Sequence, residues 1–427
     1  MTGGGAVEVE ADRAVKVGAS APVSARASAR HESTRRALPE RFRPRPLEIA
    51  CGLALGTKAV GPKLPRPPLG GPRDAIEEPI RRALSRTPCL VSFSGGRDSA
   101  AVLAVACAVA RRDGYDLPVP VTYRFPAAPG SHEAEWQEQV VRHLGLADWE
   151  RMTLSDELDC VGPVAQAVLR RHGLLWPFNA HFQVPMLERA AGGSLLTGVG
   201  GDELFGPHRW STAASVLAGR QRPRLGHLGA VGLALSPRPV REWILAGRHE
   251  IRWPWLHPEV AQDANRHRNG WHARTPRRWS GAIDWWWQSR SRVVLSASLA
   301  LLAEDTGTQL VQPFFEPAAM AAVARHFGGC GPTDRSAAMQ TLFGDVLPDA
   351  VLTRRSKAWF DQAFFSEPSR AFAAAWTGGG VDPALVDPER LAVVWAERPD
   401  PRSFLLLQAA WLSQQAETLS DYRRSNG

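Results

Sequence analysis

The stretch CLVSFSGGRDSAAVLAVACAVARR, Cys89 to Arg112, constrains this chain more than any other. Its first apolar run, CLVSFS, suits a buried strand, and the run over residues 98–112 suits a buried helix. Between them lie a serine, two glycines, an arginine, an aspartate and a second serine. Gly95 and Gly96 permit a sharp turn and let a ligand approach the backbone without Cβ interference. Asp98 and Ser99 fall where a helix N-cap would sit, so the first-turn amides point back into the loop with the positive end of the helix dipole. Such a mouth takes an anion, and for phosphate it needs no extra lysine. The G-x-x-x-x-G-K-[ST] pattern of kinase-like phosphate loops is absent.

From Cys89 to about Gly206 the pattern keeps alternating. LPVPVTYRF reads as a strand and HEAEWQEQVVRHLG as an amphipathic helix closing on Gly145. WERMTL is a third strand, residues 155–171 a third helix, and GSLLTGVGGDELF a fourth strand running into a loop. Alternation of this kind predicts an α/β fold with a parallel sheet flanked by helices. Ligands of such sheets bind at the carboxyl ends of the strands, where both glycine loops fall.

The flanks differ. Residues 1–84 divide into an Ala-, Arg- and Pro-rich arm to about residue 46, expected to be disordered or loosely attached, a short apolar patch, and the linker KLPRPPLGGPRD. AIEEPIRRALSR then suits one amphipathic helix. The α/β core is placed at 85–206 and an Arg/Trp-rich segment at 207–292. A mostly helical lobe follows at 293–427.

Hydrophobic content of 44% and charged content of 22% suit a globular protein with a substantial core. No apolar run is long enough to span a bilayer and no secretory signal opens the chain, so the expectation is a cytoplasmic protein with no membrane partner. Five scattered cysteines without a C-x-x-C read as small buried hydrophobes, and twelve histidines show no metal-ligand spacing. The net charge of +8, nearly all from arginine on the basic side, fits an acidic peptide or nucleic acid, and fits a GC-rich coding sequence equally.

A second loop, TGVGGDELFG from Thr197 to Gly206, ends another expected parallel strand 104 residues beyond the first (Ser94 to Gly198). Together, SFSGGRDSA and LLTGVGGDELFG resemble the synthetase domain of asparagine synthetases and their relatives, the β-lactam synthetases and lasso-peptide cyclases. These belong to the pyrophosphate-loop ATP pyrophosphatases, with an adenine nucleotide alpha hydrolase-like fold. LALLAEDTGTQLVQPFFEP and LFGDVLPDAVLTRRSKAWF look like two later segments of that domain, and the resemblance covers about residues 85–425.

The resemblance implies activation of a carboxylate by ATP, giving an acyl-adenylate and pyrophosphate, after which an amine displaces AMP. It implies that Ser94, Gly95, Gly96 and Ser99 hold the pyrophosphate portion and that Asp98 and Asp202 hold Mg²⁺. Two aspartates at neighbouring strand ends suit that ion, which takes few carboxylates beside phosphate oxygens and water. Gly198, Gly200 and Gly201 would let the second loop pass close to nucleotide and substrate. Tyr123 matches the adenine-contact strand. Lys357, in RRSKAWF, matches the lysine aimed at the reacting phosphate, where a cation stabilises charge that grows in the transition state. Glu203 reads as a supporting or capping residue.

The sequence departs from that family in two respects. Asparagine synthetases begin with a glutaminase domain whose catalytic cysteine follows the initiator methionine; here Thr2 follows Met1, and the Arg/Pro/Gly-rich residues ahead of the first strand do not build such a domain. The amine is therefore expected from ammonia, a partner or the substrate itself. Gln309 and Val199 stand where relatives place a glutamate and, in β-lactam synthetases, a tyrosine, and neither can take a proton. A site without a dedicated base suits a peptide α-amine, with a pKa of about 7.7–8.0, better than a lysine near ~10.4. This points to a peptide-maturing ligase such as a lasso-type macrolactam former, with ammonia-dependent asparagine synthesis as the alternative. A tRNA-modifying pyrophosphatase would account for the basic charge but not for the second loop, so nucleic acid is not the expected partner. A synthetase-like binding module in a biosynthetic complex is the non-enzymatic alternative.

Overall fold

The structure, a computed structural model, describes residues 36–56, 58–128, 133–206, 208–248, 251–354 and 361–425. Within them the expected alternation is present and gains one strand. β1 (Cys89–Ser92), β2 (Val119–Arg124), β3 (Glu150–Thr153), β4 (Ser194–Leu196) and β5 (Gln309–Val311) form a single sheet in the order β3-β2-β1-β4-β5. Every pairing is parallel, with Leu90 opposite Val119 on one side and Leu195 on the other. Strands β2 and β3 lie to one side of β1, and β4 and β5 to the other. The winding therefore reverses between β1 and β4, the kind of switch point at which a crevice opens beyond the strand ends. β5 has three residues, too few to show a period in sequence.

Helices cover the sheet. In chain order they include α1 (Pro46–Cys51), α2 (Pro72–Leu84), α3 (Arg97–Asp113), α4 (Ala134–His143), α5 (Pro163–His172) and the short α6 (Gly201–Phe205). α3 is small and apolar on every side, AAVLAVACAV, and is buried throughout this run except at Ala108, as a helix packed between a sheet and other helices must be. The third helix starts at Pro163 rather than near residue 155. Proline suits the first helical position, and the preceding turn is fixed by the fully buried Asp159. Asp159 accepts from Val161 N at 2.9 Å, from Ser366 N at 2.6 Å and from the hydroxyls of Ser366 and Ser369, which ties the C-terminal region to the sheet.

From Arg36 onward the N-terminal segment is threaded into the body. Leu38 is buried, and Glu48 on α1 forms a two-pronged ion pair with Arg290, at 2.6 and 2.7 Å. Arg290 also donates to the carbonyls of Arg41 and Arg43, while Glu48 accepts from the amides of Arg45 and Leu55. Both charges are thereby satisfied, the condition for burying them.

The Arg/Trp-rich segment is helical: α7 (Ser211–Leu217), α8 (Leu225–Leu235), α9 (Arg238–Arg248), α10 (Pro258–Arg274) and α11 (Trp279–Trp287). Most of its tryptophans are packing residues. Trp210, Trp253, Trp255, Trp279 and Trp287 are buried, and the indoles of Trp253 and Trp255 donate to the carbonyls of Cys51 and Ala50. Then come α12 (Arg290–Thr306), α13 (Pro317–Phe327), α14 (Arg335–Phe343) and the long α15 (Phe404–Ser425). Four of the five cysteines are buried and all are unpaired; burial pushes the Cys51 and Cys107 thiols up to about 12 and Cys89 to about 11. No helix among the described residues is long and apolar enough to cross a membrane.

Candidate functional site

Loop one follows β1 and turns at Gly95, whose φ of +87° is a glycine conformation. α3 starts at Arg97 with Gly96 as its N-cap, so Asp98 and Ser99 lie inside the first turn rather than at the cap position expected from sequence. The reason is local. The Ser99 hydroxyl reaches back to Gly96 O at 3.1 Å and takes up the Ser94 amide at 3.3 Å, while Ser94 Oγ accepts from Gly96 N. The serines thus close the loop on itself without capping the helix.

Two carbonyls of this loop are pinned from outside. Gln137 Nε2, on α4, donates to Ser94 O at 3.0 Å, and Arg354 Nη1 donates to Gly95 O at 2.9 Å. In a trans peptide the C=O and the following N–H point opposite ways, so these two donors turn the amides of Gly95 and Gly96 to the other side of the loop. Arg354 is buried and is held by a forked ion pair to the buried Glu133, with its guanidinium 4.9 Å from the Trp136 ring centre.

Loop two follows β4 and is built on close approach. A Cβ at Gly198 would lie 2.7 Å from Ser99 N, and one at Gly201 within 2.8 Å of Asp98 Oδ2 and closer still to its Cγ. Gly200 has φ +99°, and a Cβ there would lie 2.6 Å from Phe315 Cε1. The structure therefore brings Ser94, Gly95, Gly96, Asp98 and Ser99 together with Gly198, Gly200, Gly201 and Asp202 at the switch point of the sheet.

Arg335, at the start of α14, bridges the two carboxylates, Nη2 to Asp98 and Nη1 to Asp202. Asp98 Oδ1 is buried with no hydrogen-bond partner. Burial raises the Asp98 carboxyl above the usual carboxylate range, even against the attraction of Arg335. For Arg335 burial works against the charge, and Asp98 and Asp202 more than offset it. Burial also raises Glu203, beside both aspartates. An orphan carboxylate oxygen, with a second carboxylate held by the same arginine, fits a hard divalent cation. Among the described residues no three or more His, Cys, Asp or Glu side chains stand together as a protein-only metal cage.

Other expected residues fall elsewhere. Tyr123 packs edge-on against Phe125 and Phe182 and donates to Phe182 O at 2.8 Å, so its side chain is engaged with that aromatic cluster and not with the loops. Gln309 opens β5 opposite Ser194, at the end of the sheet away from the loops, while Gln312 lies at the carboxyl end with Nε2 buried and unpartnered. Lys357 lies outside the described residues; Arg354, three positions before it, is the residue bonded to loop one.

Arg335, Arg354, Glu133, Gln137 and Gln312 were not singled out from sequence. Arg354 sits inside the quoted LPDAVLTRRSK segment, where a second cation was in view. The others lack any local signal, because only the fold brings them to the loops.

A sequence model of the asparagine synthase family matches residues 72–326 of the 427. The match runs from the first residue of α2 to the last turn of α13 and takes in both loops. The chain belongs to the asparagine synthase family, whose members are ATP-dependent, amide-forming ligases. Arg335, Arg354 and Lys357 lie beyond the matched stretch. No curated protein sequence matches the chain.

Proposed function

We propose that this chain activates a carboxylate with ATP, releasing pyrophosphate, and passes the acyl group from the acyl-adenylate to an amine of a peptide substrate, with release of AMP. The observation that carries this reading is the interlock of the two loops around Asp98. Loop two is admitted only because Gly198 and Gly201 have no side chain, and it leaves one buried Asp98 oxygen without a partner. In this reading Ser94, Gly95, Gly96 and Ser99 take the pyrophosphate portion, their amides oriented by Gln137 and Arg354. Asp98 and Asp202 hold Mg²⁺, which when bound screens phosphate charge. Gly200 sets the path of loop two. Arg335 and Lys357 supply cationic charge to the phosphates, and a preorganised cation of this kind is worth a few kcal/mol, roughly, in the transition state. Tyr123 supports the strand that an adenine would face.

The peptide assignment rests on the acceptor. Val199, in loop two, cannot take a proton, and no described side chain is assigned the role of a dedicated base for a lysine. An α-amine is neutral in about a tenth or more of molecules at neutral pH, and burial lowers its pKa further. A macrolactam closed by the peptide's own N-terminus on an Asp or Glu side chain would supply donor and acceptor in one substrate.

ATP–pyrophosphate exchange tests the reading. Exchange that depends on Mg²⁺ and on a peptide bearing an acidic side chain is expected. Exchange with free aspartate, followed by ammonia-dependent amide formation, would make the chain an asparagine synthetase. No exchange with any carboxylate, although ATP binds, would make it a binding module.

A further inference from the structure

We infer that α8 and α9 form a surface that lies on an anionic membrane. Ten large apolar side chains stand exposed among the described residues, and six of them, Leu217, Leu225, Leu228, Leu235, Val240 and Trp243, fall within one short span. α8 reads LGHLGAVGLAL. At 100° per residue Leu225, Leu228 and Leu235 share one face of the helix, and Ala234, fully buried, lies on the opposite face. Val231 and Leu233 pack inward beside Ala234, as on an ordinary surface helix, and α8 carries a second apolar face outward. An apolar helix face left exposed in this way, with Val240 and Trp243 exposed on the helix that follows, marks an interaction site.

Charge narrows the partner. Arg220, Arg222 and Arg224 precede α8, and Arg238 and Arg241 follow it. The only acid between residues 217 and 243 is Glu242, which is paired with Arg238 at 2.8 Å and with Arg274 at 3.6 Å. A second copy of the chain meeting this face across a two-fold axis would set arginines against arginines. Nucleic acid would match the charge and leave the leucines without apolar contact. A peptide groove would shield its own lining, yet Leu225 is 89% exposed and Trp243 79%. Protruding leucines and a tryptophan, with the exposed Arg222 and Arg224 ahead of them, match a segment lying in the interface of an anionic bilayer. The other arginines are engaged: Arg220 is bonded to Gly331 O, Arg238 to Glu242, and Arg241 lies over the Trp210 ring. α8, at eleven residues, is too short to cross. Lying on a membrane requires no spanning helix, so the expectation of no membrane partner, which rested on the lack of a spanning run, does not bear on this face.

The test is co-sedimentation of the full chain with vesicles of phosphatidylcholine alone and with vesicles containing phosphatidylglycerol. Binding to the anionic vesicles only, weakening as salt is raised, is expected. Replacing Arg222 and Arg224 by glutamine should lower partition about five-fold for each arginine. The double change Leu228→Asp, Trp243→Asp should abolish it while leaving ATP affinity and Tm as in the parent chain, since both side chains are exposed. Wild-type protein that stays in the supernatant would overturn the proposal, and capture by an acidic amphipathic peptide in that case would assign the face to a protein partner. Vesicle binding unchanged by the Leu228/Trp243 variant would overturn it too, by reducing the effect to adsorption of a chain with net charge +8.

Discussion

The two glycine loops are held by opposite means. Ser94–Ser99 is tied by hydrogen bonds: its serines bond to its own backbone, and Gln137 and Arg354 pin two successive carbonyls from outside. Thr197–Gly206 is held by contact, with Gly198 against Ser99, Gly201 against Asp98 and Gly200 against Phe315. Loop one can lose a tie and keep its path, because each bond is one of several. Loop two has bonds of its own, Val199 N to Thr197 Oγ1 and Gly201 N to Gly198 O, but they give no reserve against an added Cβ, which needs space that Asp98 and Phe315 already fill. Substitution should therefore act abruptly on the second loop and gradually on the first, except at Gly95, whose φ of +87° and close approach to Gln137 leave no room for a Cβ.

The largest effect is expected where the loops meet. Asp98→Asn keeps the shape and removes the charge, and it should lower ATP–pyrophosphate exchange by about 10³-fold, at the upper end of what removing one preorganised electrostatic group costs. Exchange within a few-fold of the parent chain would show that the convergence on Asp98 is not the reaction centre. Gly201→Ala comes next. Its methyl group would enter the Asp98 carboxylate, and a loss of about 10²-fold is expected from displacement of reacting groups by a fraction of an ångström. Gly96→Ala is the matching change in loop one. A Cβ there would meet only Ser94 Oγ, at 3.3 Å, so a much smaller loss is expected. Equal losses for the two alanines would break the contrast.

A smaller effect tests the ties themselves. Arg354→Ala is a poor probe, because it strands the buried Glu133 and would cost roughly 3–5 kcal/mol of stability. Gln137→Leu removes one bond and leaves no charge behind. It should raise the KM for ATP by about ten-fold through loss of one buried hydrogen bond, about 1.4 kcal/mol, with kcat little changed. Gln137→Glu cannot donate to Ser94 O and should not rescue. A drop in kcat with KM unchanged would assign Gln137 to the chemistry instead of to loop geometry.

Both loops were legible in the sequence because each is local: a strand end, glycines and an acid within ten residues. The parallel sheet followed from the alternation of apolar runs. What lay hidden was long-range. Arg335 is 237 residues from Asp98, and Arg354 is 259 residues from Gly95, and nothing in GPTDRSAAM marks an arginine bound for a carboxylate pair. The N-terminal segment shows the same limit. Its composition is that of a loose arm, yet one glutamate, Glu48, meets Arg290 across 242 residues and fixes it. Tyr123 lies on β2, as its strand pattern suggests, but such a pattern does not say which neighbours a side chain will choose, and Phe125 and Phe182 take it.

The smallest effect is a control remote from both loops. Asp305, at the end of α12, accepts from His172 Nε2 at 2.6 Å and from Arg171 Nη2 at 2.8 Å. Burial alone would push its carboxyl up, but His172 and Arg171 more than offset this and hold it below the usual carboxylate range. A carboxylate lowered on folding stabilises the protein above its unfolded pKa of about 3.9, and that stabilisation is lost as pH falls through the lower folded value. Asp305→Asn should therefore lower Tm at neutral pH, by the equivalent of roughly 1–3 kcal/mol for a buried charged hydrogen bond. The deficit should hold steady down to about pH 4 and shrink only below it. The KM for ATP should not move, because the ties of loop one and the contacts of loop two do not include Asp305. A deficit that shrank between pH 8 and pH 6 would mean that another group titrates in place of Asp305. A shift in KM would mean that loop geometry depends on general stability, and the distinction between a tied loop and a packed one would lose its basis.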